Sequence, residues 1–360
     1  MMPDNAKLKD YDRYIKTKRI SLLVLLAVTV LAAVVYMKIG SLKMSTADII
    51  RAIMGTGEGK YVAAVMNIRL PRALAAVLVG CVLGSSGAVM QCVLRNPLAS
   101  ASTLGVSQGA AFGAAICIVV FGGGTITAST AASTVAVSKP WIVTLCAFVF
   151  GSVSSIVVIA ISRLRRNIGP AGLILAGTAL SAVFSGGSTL LQYFADDNAL
   201  GAVVFWTFGN LGSASWKDIG FLSAVCCAAM AFFILNRWNY NAMEAGSDIA
   251  QSLGVDARRI MLISMGVCSL ASATAVSFVG IISFVGLIAP HMMRFIVGSD
   301  HRYLIPGSAF SGALLLLVAD SIAKTVIPPA ILPIGAIMSF VGGPVFLVML
   351  FRGGRVDDRR

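Results

Sequence analysis

The chain has 360 residues, of which 58% are hydrophobic and only 12% charged, with a mean hydropathy of +0.89. Soluble domains carry about 25% charged residues, so this chain cannot cover itself with polar surface in water, and the bilayer must be its solvent. The net charge of +13 belongs, in such a protein, to cytoplasmic loops and not to nucleic-acid binding. Only two histidines exist, His291 and His301, which argues against a zinc enzyme or a haem-ligating core. The seven cysteines lie almost entirely in apolar segments without metal-ligand spacing. They read as small core residues, and no metal site is expected.

Crossing about 30 Å of hydrocarbon takes about 20 apolar residues. In chain order, such runs fall near 20–37, 73–94, 104–121, 141–162, 171–195, 218–235, 304–327 and 331–351. A further apolar stretch, about 260–297, is too long for one helix at about 1.5 Å per residue. Gly280, Gly286 and Pro290 permit a break, giving spans near 260–279 and 283–297. The N-terminal run lacks a small-x-small cleavage site and reads as the first helix, not a signal peptide.

Charge supports ten crossings. The tail 1–19 carries Lys7, Lys9, Arg13, Lys16, Lys18 and Arg19, and the tail 352–360 carries Arg352, Arg355, Arg359 and Arg360. Both tails should therefore be cytoplasmic, which requires an even number of spans. Ten spans leave outside only nine of the 28 basic residues: Lys38, Lys43, Arg51, Lys60, Arg69, Arg72, Lys139, Lys217 and Lys324. The expected fold is an all-α polytopic membrane protein, one transmembrane domain over 20–351 with a cytoplasmic loop at 237–259.

Glycines recur at helical spacing at Gly80, Gly84 and Gly87 and at Gly105, Gly109 and Gly113, a pattern that lets helix backbones approach closely. Gly55-Thr-Gly-Glu-Gly-Lys60-Tyr61 fails as a phosphate loop, because tyrosine stands where a hydroxyl must meet magnesium. The spans hold few ionisable groups. Asp320, with Lys324 one turn later, reads as a structural ion pair. Proton- or ion-coupled carriers usually place charges at mid-membrane, so a self-sufficient secondary transporter or channel stays only as the alternative. No nucleophile–base cluster suggests an enzyme.

In the loop 237–259, Ser247-Asp248 starts and Leu253-Gly254 stops a helix of about six residues, too short to stand alone in water. It must dock, on its own bundle or on a cytoplasmic partner. Before the second span, Arg69-Leu-Pro-Arg72 places two cations at a helix N-terminus, against the macrodipole. Lipid headgroups or an acidic partner would each account for them.

A set of stretches in consistent order resembles the FecCD/BtuC-type permeases of ABC importers for iron-siderophores, haem and cobalamin. They include Arg69-Leu-Pro-Arg72, Asn96-Pro-Leu-Ala99, Leu104-Gly-Val-Ser107, Ser252-Leu-Gly-Val255, Phe284 through Arg294, Ala319-Asp320 and Gly342-Gly-Pro-Val-Phe346. The resemblance implies a BtuC-like fold of ten helices in a bacterial or archaeal cytoplasmic membrane, with two permease copies sharing one pathway. It implies two cytoplasmic ATPase subunits that bind ATP and magnesium, no cofactor in this chain, and an external binding protein delivering the cargo. It assigns binding-protein docking to Arg69, Arg72 and Lys324. It assigns ATPase coupling to Glu244, Asp248, Ala250, Leu253, Gly254 and Val255, and a cytoplasmic gate to Asn96, Leu98, Pro170 and Ala171. Siderophore-bound iron is the expected cargo class.

Overall fold

Apolar runs closed by polar caps, glycine or proline fold as helices. A computed structural model describes residues 5–40, 42–122, 124–126, 135–137, 140–165, 168–328 and 330–357. In chain order the helices are α1 (Asn5–Lys38), α2 (Thr46–Ile53), α3 (Gly59–Ala64), α4 (Leu70–Val93), α5 (Val106–Val120), α6 (Pro140–Leu164), α7 (Pro170–Phe194), α8 (Asp197–Thr207), α9 (Trp216–Leu235), α10 (Arg237–Ala245), α11 (Ser247–Ser252), α12 (Ala257–Val279), α13 (Val285–Val297), α14 (His301–Thr325) and α15 (Ile334–Asp357). A single π-helical turn, Val65–Arg69, joins α3 to α4.

Every one of the ten expected spans falls on a helix. Seven are long and apolar enough to cross a membrane: α1, the continuous Gly59–Val93, α6, α7, α9, α12 and α14. The apolar parts of α5, α13 and α15 are shorter, at 10–17 residues. At about 1.5 Å per residue they fall short of about 30 Å of hydrocarbon, so length alone does not make ten crossings of them.

Four features depart from the sequence reading. Helix α1 begins at Asn5, so most of the expected N-terminal tail continues the first helix, and α15 likewise runs on to Asp357. The fold is not wholly helical: a short antiparallel hairpin pairs Gly124–Ile126 with Val135–Val137 between α5 and α6. The break in the long apolar stretch is confined to residues 280–284, and Pro290 lies within α13. Finally, α2 and α8 went unforeseen. Ser45 and Asp48 form a reciprocal capping box on α2, and the Asp196 side chain accepts from the Ala199 amide at the start of α8. Both caps are written in the sequence, but each opens a run too short to span a bilayer. The charges assigned to Lys139, Arg166, Arg359 and Arg360 lie outside the described residues.

At the centre stands α4, packed against α1, α9, α12, α13 and, most extensively, α14. The glycines explain how. A Cβ on Gly80 would stand 2.5 Å from the Ala313 Cα, one on Gly84 would strike the Ser308 carbonyl, and one on Gly87 the Gly286 carbonyl. In the second stripe, a Cβ on Gly109 would lie 2.6 Å from the Phe150 carbonyl of α6. Both stripes are backbone-to-backbone crossings, the geometry that small residues permit in membranes. In contrast, α7 and α1 bury little of their surface.

Gly80→Leu should force α4 from α14 and destabilise the protein by about 1–3 kcal/mol or more. Gly186→Ala on α7, where an added Cβ meets nothing within 4 Å, should change stability by no more than about 0.5 kcal/mol. Thermal unfolding of the detergent-purified variants checks both; equal losses would refute the assigned crossing.

Candidate functional site

The residues singled out from the sequence gather at the two ends of the bundle. At the N-terminal end of α4, Arg72 reaches across to α14. Its Nε donates to Asp320 Oδ2 at 2.9 Å and its Nη2 to Oδ1 at 2.7 Å. Lys324 Nζ approaches Asp320 Oδ2 at 3.3 Å and lies 3.7 Å from the centre of the Tyr36 ring. The Tyr36 hydroxyl donates to the same carboxylate oxygen. Asp320 is wholly buried and Arg72 nearly so. The i,i+4 pair expected from sequence is therefore present but secondary: the fork of Arg72, 248 positions away in the chain, takes both carboxylate oxygens. Such bidentate geometry is the strongest form of this contact.

Arg69 is also buried. It donates to the Met37 carbonyl at 2.7 Å and to the Leu42 carbonyl, tying the end of α1 and the following loop to the π-helical turn. The three residues expected to meet an external acidic partner thus all turn inward. Arg72 and Lys324 share one acid from their own chain, and Arg69 is held by backbone carbonyls. Tyr36 was missed because it ends an apolar run and carries no charge. The exposed bases at this end, among the described residues, are Lys38, Lys43, Arg51, Lys217 and Lys60, the last paired with Glu58 at 2.8 Å.

At the opposite end lies the α10–α11 segment. Helix α10 anchors it: Tyr240, Ala242 and Met243 are buried, and the Tyr240 hydroxyl meets Ser264 Oγ at 2.9 Å. Gly246, at φ +133, makes a joint that favours glycine. The next helix, α11, is the six-residue element expected from Ser247 to Leu253. Ala250 is fully buried and fastens α11 to its own bundle, so it offers no surface to a partner. Glu244, Asp248, Leu253 and Gly254 are exposed, and Val255 is half-buried. Ile249, not singled out beforehand, stands exposed beside Leu253. Nearby, Asp300 is pushed up by burial but held down, to about 2, by hydrogen bonds from Arg302 and Asn241.

The expected gate residues lie on two loops. Asn96 Oδ1 accepts from the Leu98 amide at 2.8 Å, a local turn that leaves the Leu98 side chain exposed. Pro170 opens α7 at a position where its missing N–H costs nothing, and Ala171 is exposed. The short Ser102–Leu104 helical turn after Leu98 packs on α7 at Gly177, where a Cβ would strike the Thr103 carbonyl. The two loops are thus linked through that turn.

Comparison with known proteins was informative over nearly the whole chain. The profile of the FecCD transport family matches residues 25–352. A chain of Methanocaldococcus jannaschii, assigned by inference as an ABC transporter permease protein, is 44% identical over 342 residues, 95% of this chain and 97% of that one. The hemin transport system permease protein of Yersinia pestis is 36% identical over 80% of this chain and 83% of its own. Among solved structures, an inward-facing transporter assigned to the metal-chelate ABC type superposes with a TM-score of 0.80 at 28% identity, covering 92% of this chain and 98% of that one.

Asp320→Ala would strand two buried cations and should cost about 3–5 kcal/mol. The double variant Arg72→Leu/Asp320→Leu should recover part of that loss, because both charges leave together. Unfolding midpoints in detergent decide this; a double variant less stable than Asp320→Ala would refute the pairing.

Proposed function

The chain belongs to the FecCD transport family, and we propose that it is the membrane-spanning permease of an ABC importer that takes up a metal chelate, with ferric siderophore as the cargo class. Two copies form the pathway in a bacterial or archaeal cytoplasmic membrane, two cytoplasmic ATPase subunits bind ATP and magnesium, and an external binding protein delivers cargo. The observation that carries this reading is α11. A helix of six residues is unstable alone, yet this one is fastened by Ala250 while Ile249 and Leu253, 49% and 66% exposed, stand clear of the bundle. Apolar side chains on a short, otherwise polar element are what a partner cleft would receive.

A second observation supports the pathway. One stripe of the exposed surface of α7 carries Thr178, Ala182, Ser185, Gly186 and Thr189, spaced as one helical face, beside the large apolar Leu175, Val183 and Leu190. Lipid favours large apolar side chains, so a stripe of small and hydroxyl residues suits a passage shared between two copies. Such a lining binds cargo weakly, as transit demands. The relatives named for hemin, for Fe(3+)-citrate in Bacillus subtilis and for vitamin B12 in Vibrio vulnificus favour a bulky chelate over a bare ion.

Docking of the binding protein belongs to the end that holds Arg69, Arg72 and Lys324. Since Asp320 already occupies Arg72 and Lys324, an incoming carboxylate shares those cations with it, while Lys38, Lys43 and Arg51 supply the long-range attraction.

Leu253→Lys should abolish most cargo-stimulated ATP hydrolysis, about tenfold or more, in proteoliposomes holding the reconstituted complex. Gly186→Trp, placed in open space, should instead block uptake of radiolabelled ferric siderophore while the chain still folds and assembles. Uptake that persists without ATP, or that ignores both substitutions, would favour a secondary transporter.

A further inference from the structure

The buried end of α14 holds a histidine with an unusual set of neighbours. His301 is 1% exposed. Asn241 Oδ1 accepts the His301 backbone N–H at 2.8 Å and faces its Nδ1 at 3.0 Å. Asn241 Nδ2 donates to the Asp300 carboxylate at 3.0 Å. These contacts fix the amide's orientation, because a carboxylate and an N–H group each demand the opposite end of it. An amide oxygen only accepts, so Nδ1 must carry the imidazole proton. The lone pair is therefore on Nε2, and that atom is buried with no hydrogen-bond partner among the described residues.

Two further ligand atoms converge there. Cys92, the penultimate residue of α4, is 1% exposed, and its Sγ lies 3.4 Å from the Tyr240 carbonyl. The Glu244 carboxylate reaches in from α10. One ligand atom from each of Cys92, Glu244 and His301 lies within 4.8 Å of the others. The cysteines had read as core residues because the three positions are spread over 209 residues of sequence, with no local spacing to betray them.

We propose that Cys92, Glu244 and His301 form a binding site for a divalent cation of borderline softness, of the Zn2+ class, at the root of the α10–α11 segment. A thiolate, an imidazole and a carboxylate are the donors such ions take, at about 2.3 Å for sulfur and about 2.0–2.2 Å for nitrogen and oxygen. Ligand atoms so spaced sit about 3–4 Å apart in a tetrahedral shell, so a small rotation of the exposed Glu244 closes the set. Three protein ligands leave the fourth position to water. The hydrogen bond from Nδ1–H to Asn241 is the outer contact that orients a metal-binding histidine. Charge is in balance: thiolate and carboxylate offset the dication. Occupancy would tie α10, one residue from the Gly246 joint, to the ends of both central helices. This site is independent of cargo and of the ATPase.

The test uses the full chain purified without a polyhistidine tag, stripped with chelator under anaerobic conditions. Co2+ is then added as a spectroscopic probe. One Co2+ per chain is expected, with visible bands of tetrahedral geometry and a near-ultraviolet thiolate charge-transfer band. Cys92→Ser should remove the charge-transfer band, His301→Gln should weaken binding at least tenfold, and Cys268→Ser should alter neither. Zn2+-loaded wild type, examined by X-ray absorption, should show one sulfur and a shell of nitrogen and oxygen, a readout that survives if the variants do not fold. No stoichiometric binding, a sulfur-free shell, or a band indifferent to Cys92→Ser would overturn the proposal. Since the isolated chain is measured, the result stands whatever becomes of the importer reading.

Discussion

One antiparallel crossing, α4 against α14, sets the positions of nearly everything else. At its middle the two backbones touch, Gly80 against Gly312 and Ala313, then Gly84 against Ser308. One register carries on to both ends. Arg72 meets Asp320 at one, and Cys92 approaches His301 at the other. The glycines do more than permit packing. Without a close approach at the centre, the Arg72 fork could not reach both oxygens of Asp320, and the two buried charges would each be left uncompensated. In hydrocarbon that is costly, so glycine contact and ion pair stand or fall together.

The junction around the α12–α13 break follows the same logic of small residues at close quarters. Gly280, at φ +77, turns the chain where a side chain would be strained. A Cβ there would collide with the Trp206 carbonyl at the end of α8. One freed backbone group finds a partner outside its own helix: the Val279 carbonyl accepts from the Asn210 amide at 2.7 Å. Broken helices survive at membrane depth only when their polar backbone is satisfied by neighbouring protein. The short loop that follows the unforeseen α8 supplies that partner here.

What could be read from the sequence is what local pattern encodes. Apolar runs placed a helix at each of the ten expected spans, glycine spacing located both crossings, and Ser247 to Gly254 marked α11. Three arrangements were not legible in the sequence, for a common reason. The partner of Arg72 lies 248 positions away, so an arginine that looks exposed at a helix N-terminus is in fact neutralised internally. Ala250 reads as surface on a polar helix but is fully buried against the bundle. His301 and Cys92 each looked solitary. Helix periodicity says which face is apolar; it does not say which distant helix meets that face. Asp320, the acid set deep in a described span, is engaged by Arg72, Lys324 and Tyr36. A saturated carboxylate is a poor relay for a coupling ion, which favours energy supplied from outside the chain.

The loop after α4 and the α10–α11 segment are mechanically joined. Arg95 adopts φ +46, a left-handed conformation that costs a non-glycine residue about 1 kcal/mol. It persists because the surroundings hold it: its amide donates to the Cys92 carbonyl, and its Nη2 donates to the Met243 carbonyl of α10 at 3.2 Å. Asn96 and Leu98 follow directly in the chain. A partner that seized Ile249 and Leu253 would pull on α11 at the Gly246 joint, and the Arg95 guanidinium lies beside that joint as well as on the Met243 carbonyl. Because Arg95 holds a left-handed backbone state, a shift of the Met243 carbonyl would loosen the tether just before the Asn96–Leu98 turn. Coupling between the two loops would then need no rearrangement of the α4–α14 crossing. The rigid part of the protein and its movable part would be separated in the last turn of α4, where Cys92, Val93 and Leu94 are buried and Arg95 is exposed.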